Sequence, residues 1–127
     1  MKIFTPNTLL KSDEVNANFA ELQLKESVAT SPSSITPNLL TGNMYCVTAL
    51  ANDITINAPS GVTLNGTNLV FRFKDAGVAK NITWNAIYVA TGGTMPTVTI
   101  ASKLVYVGFK YNATEATWDC LAVGKRP

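Results

Sequence analysis

Between residues 42 and 123, short β-branched and aromatic runs alternate with turn chemistry, and no segment there has helical periodicity. This feature constrains the fold more than any other. A half-buried strand requires alternation of apolar and polar residues, and a turn requires residues that tolerate a reversal. Residues 44–50 and 54–58 are two such runs, separated by Asn52-Asp53 and closed by Pro59-Ser60-Gly61. Asn65-Gly66 is a tight-turn signal. In the run that follows, Leu69, Phe71 and Phe73 alternate with Arg72 and Lys74, and Asp75-Ala76-Gly77 closes it. Ile82 with Trp84 and residues 87–90 form two more runs before the Gly92-Gly93 break, and 98–101 follows Pro96. Residues 104–111 are apolar on both faces, as a central strand is, and 117–123 places Trp118, Cys120 and Ala122 on one side. About eight short strands with regular turns predict a mainly β fold, an antiparallel β-sandwich of jelly-roll type over 42–127. No internal repeat is visible.

The first 41 residues read differently. Pro6 and the residues after it disfavour helix, so 1–10 is expected to be an extended arm. Ser12 is a good N-cap, and Asp13 and Glu14 complement the dipole of a helix over 13–25. Val15, Phe19 and Leu22 form one apolar stripe of about two turns, too short to be stable alone in water. The stripe must therefore pack on its own domain, on copies of itself in a three-chain bundle, or on a partner. The next segment favours the last two. Residues 27–41 are rich in Ser, Thr and Pro, and no charged residue occurs from 27 to 52. That composition reads as a linker. The expected organisation is an arm and helix (1–26), a linker (27–41) and a β-domain (42–127).

Catalytic chemistry has little to stand on. The chain has no histidine, which removes the commonest general base and the Ser-His and Cys-His nucleophiles. The acids of the β-domain are Asp53, Asp75, Glu115 and Asp119. A carboxylate pair could hydrolyse a glycosidic bond, but no spacing marks one. Gly92-Gly93 lacks the Lys-Ser/Thr of a phosphate loop. Trp84, Tyr88 and Trp118, with Tyr106 and Tyr111, could stack on a host-surface glycan, although packing in a core or between subunits is the plainer use. Cys46 and Cys120 read as two buried thiols in a reducing cytosol, with a bridge between the first and last strands as the alternative. Neither has a metal-ligand partner at useful spacing. No metal, cofactor or catalytic residue is expected.

The net charge of +2 comes with no basic run, and arginine occurs only at 72 and 126. Nucleic-acid binding is therefore not expected. No apolar run is long enough to span a bilayer, and the start Met1-Lys2-Ile3-Phe4 is not a signal peptide, so a product that stays in the cytoplasm is expected. Charged residues make up only 14% of the chain. A surface with few ions tolerates close subunit contact, because little charge must be desolvated.

Two stretches carry a resemblance. The phrase from Phe4-Thr5-Pro6 through Ser12-Asp13-Glu14-Val15-Asn16-Ala17-Asn18-Phe19 resembles a segment near the start of many tailed-phage fibre and particle-surface proteins. The β-domain phrase, with Phe71-Arg72-Phe73-Lys74-Asp75, Ile82-Thr83-Trp84-Asn85, Tyr106-Val107-Gly108-Phe109 and Trp118-Asp119-Cys120, is similar to a domain at the ends of phage tail, fibre and head-decoration proteins. The resemblance implies a non-enzymatic virion structural role, as a homotrimer attached to the major capsid protein or another virion protein. A capsid decoration (cement) protein or short head fibre suits the short linker best. A tail-fibre or receptor-binding adhesin is the alternative, and a glycan hydrolase a third. Phe4, Leu9, Leu10, Val15, Phe19 and Leu22 are then the anchoring or trimerising residues.

Overall fold

The computed structural model describes residues 26–61 and 64–126. Among these the chain forms nine strands: β1 (Glu26–Ala29), β2 (Ser34–Ile35), β3 (Met44–Leu50), β4 (Ile54–Ile56), β5 (Asn68–Asp75), β6 (Ile82–Trp84), β7 (Tyr88–Ala90), β8 (Leu104–Asn112) and β9 (Thr117–Lys125). Burial follows the alternation read from the sequence. In β5, Leu69, Phe71, Phe73 and Asp75 are buried, while Asn68 and Lys74 are exposed. The mainly β expectation holds.

The pairing departs from the antiparallel jelly-roll expectation. Five ladders are parallel (β1–β3, β3–β5, β2–β4, β4–β6 and β7–β9), and two are antiparallel (β5–β8 and β8–β9). A six-stranded sheet runs β1-β3-β5-β8-β9-β7, and a three-stranded sheet runs β2-β4-β6. Up to β6 the chain passes alternately between the two sheets. Each strand lies beside the equivalent strand of the previous circuit, so the first half is three stacked coils.

The corners explain why the chain does not reverse as hairpins. Ser31 Oγ accepts from the Ala51 amide at 2.9 Å and donates to Asn52 Oδ1 at 2.9 Å. Asn52 Nδ2 donates to the Pro32 carbonyl at 3.2 Å. One coil higher, the Asn81 amide donates to Asp53 Oδ1 at 2.9 Å. Each turn thus hydrogen-bonds to the turn of the next coil, which places successive strands in parallel register. On the opposite side, the Ser60 amide donates to Pro37 O at 2.7 Å and the Leu39 amide to Ser60 O at 2.9 Å. Gly61 sits there at φ 90°, where an added Cβ would meet the Leu40 amide nitrogen at 3.1 Å. Both the backbone angle and the space select glycine.

Residues 27–41, expected to be a linker, supply β1 and β2 and are part of the sheets. Pro37 is fully buried. The Ser/Thr/Pro composition reflects hydrogen-bonded corners rather than solvation. The expected boundary at 42 therefore falls inside the stack. The arm and helix, with Phe4, Leu9, Leu10, Val15, Phe19 and Leu22, lie outside the described residues.

One core lies between the sheets. Tyr45, Val47, Leu69, Phe71, Phe73, Val105, Val107 and Phe109 come from the larger sheet, and Ile54, Ile56 and Ile82 from the smaller. Phe71 is the hub, with ring centroids 5.5 Å from Trp84, 5.9 Å from both Phe73 and Phe109, and 6.0 Å from Tyr88. Phe73 stacks on it at an interplanar angle of 4°, the other three meet it edge-on, and both arrangements add to the area term.

Candidate functional site

The carboxylates hold loops. Asp75 ends β5 with only 3% of its surface exposed. Its Oδ1 accepts the amides of Gly77 at 3.0 Å and Ser102 at 2.7 Å, and its Oδ2 accepts the Thr99 hydroxyl at 2.7 Å. Burial raises the Asp75 pKa, but the Thr99 hydroxyl, the Ser102 and Gly77 amides and the Lys80 charge outweigh it, so the net shift is downward. The group is an ionised clasp between residues 75–80 and 99–102. It also fixes Ser102, which has the unusual φ of 62°.

Asp119 does the same at the β8–β9 hairpin. It accepts the Thr117 hydroxyl at 2.8 Å and Asn112 Nδ2 at 3.2 Å. Asn112 Oδ1 in turn accepts the amides of Thr114 and Glu115 at 3.0 and 3.2 Å, closing the turn. Asp75 and Asp119 do not form a glycosidase pair. Lys74 pairs with Leu104 and Asp119 with Lys110, so six residues of β8 separate their levels. At about 3.3 Å per residue this is roughly 20 Å, far beyond the spacing of a catalytic carboxylate pair. Among the described residues, no group of three His, Cys, Asp or Glu side chains converges as for a metal.

The two cysteines are free and buried. Cys46 lies on β3 and Cys120 on β9, with β5 and β8 between them. Three strand spacings of about 4.8 Å separate them by about 14 Å, twice the reach of a disulfide, so the alternative bridge is excluded. Cys46 faces the outer side of the larger sheet, with Val28 and Arg72 as its lateral neighbours. Burial, reinforced by the Glu26 carboxylate and partly offset by Arg72, pushes its thiol up to about 11. Burial also raises Cys120. Both thiols are protonated at neutral pH and are poor nucleophiles.

Of the candidate stacking aromatics, Tyr106 is exposed on the outer face of the larger sheet, whereas Tyr88 and Trp118 are internal. Tyr88 and Trp118 are 3% and 1% exposed, which corrects the glycan-platform alternative for both. The Tyr88 hydroxyl donates to Asn57 O at 2.8 Å. Trp84 is half-buried against the core, and its Nε1 donates to Pro96 O at 2.7 Å.

Among the described residues, no other sheet covers the outer face of the six-stranded sheet. Glu26 and Arg72 form an ion pair at 3.1 Å on that face, which neutralises its centre. Around them lie Val28, Met44, Val70, Tyr106, Gly108 and Ala122, whose lateral pairing puts them on the same side. At the β7–β9 end, a cavity of about 230 Å³ is lined by Ala90, Thr91, Met95, Cys120, Leu121 and Val123. At the end of β5, Lys74, Lys103 and Arg126 line another of about 220 Å³ with Ser102. None of these features was marked in the sequence. The face depends on which strands are neighbours, and the unequal coils hide that: Glu26, Met44 and Val70 share a level at separations of 18 and 26 residues. Among the described residues, no helix is long and apolar enough to cross a membrane. Comparison with family models, with curated proteins and with solved structures gives no match.

Proposed function

We propose that this chain is a non-enzymatic structural component of a tailed-phage particle, a homotrimeric capsid decoration (cement) protein or short head fibre. It attaches through residues 1–26, whose sequence predicts an arm and a helix, to the major capsid protein or another virion protein. The observation that carries the structural half of this reading is the use of the polar side chains. Asp53, Asp75, Asn112 and Asp119 all bind neighbouring turns, and Tyr45, Phe71, Phe73, Tyr88, Phe109 and Trp118 fill the core. The phage half rests on the resemblance of the N-terminal phrase and the β-domain phrase. We read the two sheets around one core as a sandwich-like unit built from stacked coils.

The chemistry suits repeated attachment. A rigid body with few surface ions loses little on docking, and many copies of a weak contact give firm decoration through avidity. The adhesin alternative has less support, because Tyr88 and Trp118 are not on the surface. Substituting Phe19→Asp places a charge in the apolar stripe and should abolish binding to particles that lack the protein, while far-UV circular dichroism of the β-domain stays unchanged. Normal decoration by that variant would sink the anchor. Failure of the natural chain to bind such particles would sink the particle role.

A further inference from the structure

We propose that copies of this chain join edge to edge through the six-stranded sheet, with β1 of one copy adding in parallel to the free edge of β9 in the next. The inference rests on the homotrimer above for the number of copies, but the surface itself follows from the register.

β7 pairs with β9 only at Trp118, Asp119 and Cys120. Beyond Ala90 the chain turns away, and the Thr91 hydroxyl donates to the Cys120 carbonyl. Among the described residues, the stretch 121–125 of β9 has a strand partner on its β8 side alone. The departure of β7 leaves the cavity of about 230 Å³ beside that edge. At the other end of the sheet, among the described residues, β1 is paired with β3 alone, and all four of its residues are exposed. Ser27 and Ala29 are exposed even though they are lateral neighbours of the core residues Tyr45 and Val47. Open edges of this kind are templates for another strand.

The two open edges match in height, direction and length. Followed across the sheet, Glu26 is level with Ala122, Ser27 with Val123, Val28 with Gly124 and Ala29 with Lys125. The whole of β1 therefore lies level with the free part of β9, above the segment that β7 occupies. The directions agree as well. β1, β3 and β5 run together, and two antiparallel steps through β8 bring β9 back to the same sense. A rotation about an axis along the strands brings β1 of one copy beside β9 of another with no shift. Head-to-tail contacts of this type close into a ring when the rotation divides a full turn.

The side chains fit the pairing. Val28, 59% exposed, comes beside Gly124, which has no side chain to oppose it. Val123, 38% exposed, gains Ser27 as a neighbour. Glu26 falls beside Ala122 and Lys125 beside Ala29, so no like charges meet.

The test is the solution mass of the purified full chain, by light scattering after gel filtration. Val28→Lys together with Gly124→Lys places like charges on both edges at one level. Neither change should disturb the fold, because a Cβ at Gly124 meets Tyr106 Cβ at an ordinary 3.7 Å. The expected results are a trimer mass for the natural chain, a threefold lower mass for the double-lysine variant, and return of the trimer when Val28→Lys is combined with Gly124→Glu. A natural chain that is monomeric, a double-lysine variant that keeps the natural mass, or a lysine–glutamate pair that fails to restore it overturns the proposal. Particle binding, measured separately with Phe19→Asp, stands or falls independently of these masses.

Discussion

Asp75 joins two loops with one carboxylate, so the cost of removing it follows from the donors it would leave behind. Asp75→Ala strands the buried Thr99 hydroxyl and two part-buried amides, and should cost about 1–3 kcal/mol in urea unfolding. The pH dependence has a definite sign. The folded pKa lies below the ordinary 3.8, so the stabilisation is fully present above that value. It is lost as the pH falls through the lower folded value. Urea midpoints should therefore drop as the pH falls below about 3.8 in the natural chain, and drop less in Asp75→Asn, which carries no charge to titrate. An equal drop in both would remove Asp75 from the acid response. Phe71 is the other residue with a large expected effect. It is fully buried at the centre of five rings, and Phe71→Ala should cost about 3–5 kcal/mol, read from the same unfolding curves. A loss under about 1 kcal/mol would mean that the core collapses around the gap.

At the scale of elements, the sharpest consequence concerns β1 and β2. They are the first of three coils, so deleting residues 1–41 removes paired backbone from both sheets. Deleting 1–25 leaves both ladders intact. The shorter deletion should retain the thermal midpoint of the full chain to within a few degrees. The longer one should lower it by ten degrees or more, or yield no folded product. Equal midpoints would restore the linker reading. That reading failed for a physical reason. Ser31, Thr36 and Asn38 are polar because they bond to the neighbouring coil or close a corner, and composition cannot distinguish a hydrogen-bonded corner from a solvated tether. The strands themselves were legible. Alternation at Leu69, Phe71 and Phe73 and the turn at Asn65-Gly66 put β5 where the structure has it. The partners of each strand were not. Three residues between β3 and β4 are compatible with a hairpin or with a corner between sheets, and only the bonds to Pro32 and Asn81 decide it. The candidate site was hidden for the same reason, since Val28, Gly108 and Ala122 come to share one face only through that pairing.

The described residues form stacked coils with open sheet ends, and the chain carries few charged residues; the proposed structural role rests on these features. A structural part of a particle is present in fixed number, whereas an enzyme or a transient adaptor has no reason to be. The most direct test of the proposed role is therefore quantitative mass spectrometry of gradient-purified particles of the phage that the proposal implies, with copies of the chain counted against the major capsid protein. The expected result is a constant ratio between preparations, corresponding to a multiple of three copies per particle and retained after a high-salt wash. Absence of the chain from washed particles, or a ratio that drifts with the preparation, would contradict a structural role in the virion.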